Sequence, residues 1–284
     1  MWDFAVNTAD RFVASTPAKL WFGAFCVGFV LERLLKNAES GQKLRGYGRN
    51  VAHSIVYLVV FFLLAPSVYI PIAAISNRSG GGLINAQIVD NTTWLNQIIV
   101  FALLYFIVDF FQYWWHRMQH RVPFLWDQHV VHHSEDAMNV TTATRHHWSE
   151  FMFQSLVVSL PFGLLFKLTP ATVGIVAMVF GSWQFFVHLN VRISLGQMAR
   201  LVGGPQFHRI HHSRLSEHID RNFSAYFPVW DIIFGTYHHP KRGEYPPTGV
   251  SGTRIESVWA LSVHPFVQWG RRIALRMRPA RFSD

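Results

Sequence analysis

A single cysteine, Cys26, stands in 284 residues. That scarcity excludes a disulfide framework, a cysteine-based zinc site and an iron–sulfur cluster, each of which needs several thiolates. Charge is scarce as well. Asp, Glu, Lys and Arg make up 14% of the chain, against about 25% in an average soluble domain. Acidic residues are the rarer sign, 16 against 25 basic, for a net charge of +9. There is no nucleic-acid motif, so this excess reads as orientation and lipid-headgroup contact. There is no dinucleotide fingerprint and no recognisable haem domain. Gly80-Gly81-Gly82 is not a phosphate loop, because no Lys or Ser/Thr follows in register. The N-terminus, with Asp3, Asp10, Arg11 and Lys19, has no compact apolar stretch of the cleavable-signal kind.

Apolar residues, by contrast, are plentiful: half of the chain is hydrophobic and 15% is aromatic. Five apolar segments follow one another, at about 20–35, 51–75, 95–115, 151–168 and 171–189. A membrane span needs roughly 20 apolar residues. The third and fifth segments satisfy this well. The first and fourth are marginal, and Pro66 and Pro71 are expected to kink or divide the second. The fold class expected is all-α: a multi-span membrane helical bundle of four to five segments with a cytoplasmic helical cap. Residues 1–94 would form N-terminal membrane segments and loops, 95–240 a catalytic domain and 241–284 a basic tail. Lys36, Lys43, Arg45 and Arg49 precede the second segment, whereas the loop after it carries only Arg78. This asymmetry places the end bearing residues 116–150 in the cytoplasm. The tail, with Arg271, Arg272, Arg276, Arg278 and Arg281, would be solvated or touch headgroups.

Sixteen histidines are present, and eight of them fall into three patterns. His129-Val-Val-His132-His133 and His208-Arg-Ile-His211-His212 both read H-x-x-H-H, and His116-Arg-Met-Gln-His120 reads H-x-x-x-H. On a helix, positions i, i+3 and i+4 share a face, so each pattern aims two or three imidazoles one way. Imidazole is a poor apolar filler, and a solvated face is better served by Lys and Glu. Metal ligation is the reading that explains the clustering. Two metal ions with four or five ligands each need eight to ten donors. His188, at the end of the fifth segment, and His147 are the expected additions. His146 would point about 100° away from its neighbour on a helix and is left out, as are His53, His218 and His264. The segments return all three patterns to one membrane side.

Ligating imidazoles usually give their second N–H to an acid or carbonyl. Asp109, seven residues before His116, is the leading acceptor, followed by Asp127, Glu150, Asp220 and Asp231. Asn139, Arg145, Asn190, Asn222 and His238 would complete the polar surroundings. The sequons at Asn77 and Asn91 are discounted as chance matches.

The order H-x-x-x-H, H-x-x-H-H, H-x-x-H-H resembles the fatty acid hydroxylase / sterol desaturase superfamily of integral-membrane di-iron oxygenases. Asp127-Gln-His129 through Ser134, Met138-Asn139 and Arg145-x-His147 resemble its first half. His208 through Ser213, Asp220-x-Asn222-Phe223, Trp230-Asp231 and Phe234-Gly235-Thr236-Tyr237-His238 resemble its second. The resemblance covers about residues 95–240. It implies two iron ions, for which zinc readily substitutes, with O2 as co-substrate and attack on an unactivated C–H bond of a membrane lipid. Hydroxylation is the favoured outcome and desaturation at the same site the nearest alternative. A histidine-rich metal transporter or metal-binding protein and a non-catalytic homologue are the readings from other classes. Electrons would come from a separate reductase, ferredoxin or cytochrome. The membrane would be the bacterial inner membrane or the endoplasmic reticulum.

Overall fold

The computed structural model describes residues 16–35, 44–78, 80–86 and 93–276. Lys36, Lys43, Asn91, Arg278, Arg281 and residues 1–15, each used in the sequence reading, lie outside the described residues. Nine helices of five or more residues order the described chain: α1 Thr16–Leu34, α2 Leu44–Arg78, α3 Trp94–Arg121, α4 Pro123–His133, α5 Glu150–Leu165, α6 Pro170–Val187, α7 Pro205–His211, α8 Val229–Ile233 and α9 Val258–Arg276. Short 3-10 turns at Val140–Thr144, Gly196–Arg200 and Ser216–His218 lie between them. Among the described residues, strand is confined to β1 (Ile84–Asn85) and β2 (Phe166–Lys167).

Among the described residues two helices are long and apolar enough to cross a membrane, α2 and α3; α5 and α6 are shorter apolar helices. Of the two expectations for the second segment, a kink or a division, the division is corrected here. Pro66 and Pro71 lie inside one continuous 35-residue helix. A break would strand backbone polar groups among apolar surroundings, so a helix with two missing donors is the cheaper solution. Ile55, Val59, Ile70 and Ile75 on α2, and Ile98, Ile99 and Leu103 on α3, are exposed, as suits a hydrocarbon solvent. The fourth segment accommodates Pro161 differently. Residues Ser155–Ser159 widen into a π turn within α5, which absorbs the imperfect register.

The interior is aromatic. Phe185 and Leu189 of α6 pack with Val140 and Tyr47 against Trp21, Phe25 and Phe29 of α1. Gly28 lets α1 approach closely, since a Cβ there would lie 2.9 Å from Val140 Cγ2. A second cluster joins Tyr105, Val108 and Trp115 of α3 to Val158 of α5 and Val176 of α6. At one end, β1 pairs in parallel with β2, Ile84 opposite Phe166 and Asn85 opposite Lys167. Ser76 Oγ donates to the Gly163 carbonyl beside them at 2.5 Å. The α2–α3 connection and the α5–α6 turn are thus tied together at the end opposite the histidines. Residues 241–276 are more than a solvated tail. Helix α9 lies on α4, with Trp269 stacked 4.3 Å from Phe124 and Arg272 paired with Asp127 at 2.6 and 2.9 Å.

Candidate metal centre

The end of the bundle bearing the C-termini of α3 and α6 gathers nine imidazoles. His116 and His120 sit on the last turns of α3, and His129, His132 and His133 on α4. His188 caps α6, and His208, His211 and His212 come from α7 and its cap. Local sequence makes α4 and α7 start where they do: Pro123 and Pro205 occupy first-turn positions, where a missing N–H costs nothing. Both helices then run just long enough to present one H-x-x-H-H face inward.

The nine divide into two groups. His116, His120, His129, His133 and His211 bring one ring nitrogen each within 4.8 Å of the others, and so do His132, His188, His208 and His212. In the second group the Nε2 atoms of His132 and His188 are 3.2 Å apart, those of His188 and His208 3.0 Å, and those of His208 and His212 3.2 Å. In the first, His133 Nε2 lies 3.2 Å from that of His120 and 3.1 Å from that of His211. A metal–imidazole bond of about 2.1 Å sets neighbouring donors about 3.0 Å apart at a right angle and roughly 3.4 Å apart at a tetrahedral one. The observed edges fall in that range.

The tautomers point the same way. His116 Nδ1 bonds the Phe223 carbonyl at 2.7 Å, His188 Nδ1 that of Gln184 at 2.7 Å, and His211 Nδ1 that of Arg221 at 2.8 Å. Each carbonyl takes a proton on Nδ1 and turns the Nε2 lone pair inward. His116 Nε2 and both nitrogens of His129 are buried with no hydrogen-bond partner. Lone pairs converging in a dry space without protons between them are costly. A cation removes that cost, so the donor set fits two metal ions. Burial, reinforced by the neighbouring imidazoles, pushes the ring pKa of His132, His133, His208, His211 and His212 well below the ordinary value. The neutral ligand form is the one present near neutrality.

The structure does not bring His147 to this cluster. Its Nδ1 meets Ser149 Oγ at 2.7 Å and its Nε2 the Ser262 carbonyl of α9 at 2.9 Å. His146, left out on helical spacing, stands in its place. Its ring stacks on His132 with centroids 4.2 Å apart, and its Nδ1 lies 3.1 Å from Glu150 Oε2. Residues 145–147 are not helical, so successive side chains point to opposite sides and the 100° rule does not apply.

The polar residues sort by what they touch. Glu150 reaches His146, stands 3.7 Å from His129 Nδ1 and accepts from Gln119. Asp220 stands 3.6 Å from His120 Nδ1. Asp231 accepts from the Phe223 and Ser224 amides and from Thr236 Oγ1, so it fixes the carbonyl that orients His116. The others touch no clustered imidazole. Asp109, the leading expected acceptor, instead takes the amides of Tyr226 and Phe227 at 3.1 and 2.9 Å. Asp127 pairs with Arg272, and Asn139 caps the Val140–Thr144 turn. Arg145, fully buried, bonds Val131 O, Asn50 Oδ1, Glu135 Oε2, Ser134 Oγ and Ile255 O. Asn190 Oδ1 accepts from Arg209, Asn222 bonds the backbone of Phe207 and His238, and the His238 ring faces Glu244. Sequence reading missed Glu32. It reaches from α1 to the amides of Val140 at 2.8 Å and Asn190 at 2.7 Å, bracing both segments that flank the second histidine group. An acidic residue inside an otherwise apolar segment was the available signal.

Residues 101–236 match the family model described as fatty acid hydroxylase. Human alkylglycerol monooxygenase is 36% identical over 131 residues, which is 46% of this chain and 28% of that protein. The ornithine lipid hydroxylase OlsE of Rhizobium tropici is 28% identical over 175 residues, 61% of this chain and 52% of that protein. The chain therefore spans from about a quarter to about half of the length of these relatives. No solved structure matches it.

Proposed function

From the fatty acid hydroxylase domain that this chain carries, we propose that it is a multi-pass membrane di-iron enzyme that hydroxylates an unactivated C–H bond of a lipid. The observation that carries the reading is the convergence of nine imidazoles, seven buried and two half-buried, in two groups with ligand-like spacing, at one end of apolar helices. A transport path would string weak sites through the spans; here the donors are bunched at one end.

His116, His120, His129, His133 and His211 would hold one iron, and His132, His188, His208 and His212 the other. When bound and reduced, the irons supply O2 activation and attack on the C–H bond. The protein's own residues supply the rest. The carbonyls of Gln184, Arg221 and Phe223 keep three imidazoles in the ligating tautomer. Glu150, accepting from His146 at 3.1 Å and facing His129, balances charge on the first group's side. The aromatic interior excludes water. The bilayer would deliver the lipid, and the named relatives direct attention to alkylglycerols and ornithine lipids. The chain's net charge of +9 suits an acidic electron-donor protein docking at the cytoplasmic end.

Untargeted lipid mass spectrometry on cells producing the chain, against cells producing His132→Ala, tests this. A lipid that gains one oxygen only with the intact chain is the expected result. A lipid losing two hydrogens would make the enzyme a desaturase, and metal-free protein with no lipid change in the presence of a working donor would overturn the reading.

A further inference from the structure

Outside the nine-histidine cluster, a second kind of donor set converges. His218, His238 and Glu244 each place one ligand atom within 4.8 Å of the other two. His218 Nε2 is 3.2 Å and His238 Nε2 3.3 Å from the same carboxylate atom, Glu244 Oε1. The two rings stand edge to face, with centroids 4.8 Å apart. We propose that these three residues form a third metal site that binds one zinc ion and clamps the segment after Tyr237 onto the loop that follows the second histidine pattern.

Three features of the surroundings support it. The donors are braced from behind, as ligands usually are. His218 Nδ1 meets Ser213 Oγ at 2.9 Å, Lys241 N–H donates to Glu244 Oε2 at 2.7 Å, and Asn222 holds the His238 backbone through both its N–H and its carbonyl. The imidazole–carboxylate edges match the separation of neighbouring donors on a first-row ion. Access is also graded. His218 is buried, while the side chains of His238 and Glu244 are 20% and 18% exposed. The ion thus has an entry path and an open position for water. Two imidazoles with one carboxylate is a zinc donor set, and zinc adds no redox chemistry beside an oxygen-activating centre.

The placement gives the clamp a purpose. The loop it would hold carries Arg221, whose carbonyl orients His211, and Asp220, beside His120. Position 220 and position 222 both adopt left-handed backbone, at φ +59°. Asp and Asn are the non-glycine residues that adopt that conformation most readily, so the loop holds this shape at little backbone cost.

The test is a metal count. The full chain, purified in detergent and stripped with a chelator, is dialysed against zinc alone, and bound zinc is measured by plasma mass spectrometry. Three ions per chain are expected, falling to two in Glu244→Gln and in His238→Ala. Two ions on the unmutated chain would overturn the proposal, whether or not the variants fold, and so would an equal count in all three proteins. The lost ion is read as a difference, so the result does not depend on which metal the nine-histidine cluster takes in cells.

Discussion

His146 and His147 are adjacent in sequence and opposite in role. One ring lies on His132; the other bonds Ser149 and the α9 backbone. His147→Ala should therefore keep the metal and lose stability, on the order of 2 kcal/mol for two hydrogen bonds, read as a lower melting temperature at unchanged iron content. His146→Ala should do the reverse, lowering iron content or turnover with little change in melting temperature. The same iron content in both variants would show that the contrast is wrong. The eight patterned histidines were legible because the i, i+3, i+4 rule holds wherever the segment is helical, as α4 and α7 are. The rule failed after the Val140–Thr144 turn, where residues 145–147 are not helical. Asp109 failed for a related reason. Being seven residues before His116 puts it on roughly the same face but two turns away, where backbone amides are its nearest donors.

Among the elements, α3 carries the most consequence. It is long and apolar enough to cross a membrane, ends in His116 and His120, and is pinned by Asp109 to the amides of Tyr226 and Phe227. Asp109→Ala leaves two amides without their charged acceptor. The expected cost is about 3 kcal/mol, seen as a large fall in melting temperature; a shift within error would argue that the carboxylate is incidental. The far end offers a contrast. Gly82 has φ +116°, and a Cβ there would run into the backbone of Phe166 and Lys167. Gly82→Ala should cost a few kcal/mol through the β1–β2 tie, with metal binding intact in whatever protein remains folded. Sequence showed only that the Gly80-Gly81-Gly82 run is not a phosphate loop; its partner was hidden, because a two-residue strand carries no periodicity. For α2, division at the prolines was one of two expectations, and apolar surroundings penalise such a break.

For the whole molecule, helical character and one-sided histidines were readable from composition and segment order. What composition could not convey was the contribution of remote segments. Glu32, Asn50 and Arg145 join α1, α2 and the turn after α4 through side chains far apart in sequence. The assembled cluster should also stabilise the fold as a ligand does. Chelation should lower the melting temperature by several degrees, with recovery on adding Fe(II) or Zn(II) back. An unchanged melting temperature after complete metal loss would mean the nine imidazoles are held by protein packing alone.

The division of the nine donors has a consequence for how the protein is made. Each group draws on both halves of the chain: His211 completes the first, and His208 and His212 complete the second. While the ribosome is still building α6, the first group has four donors and the second has one, His132. The second group cannot assemble until α7 docks, and the first gains its fifth donor, His211, only then. A half-synthesised chain therefore offers four imidazoles in one group but never the paired arrangement of two groups side by side.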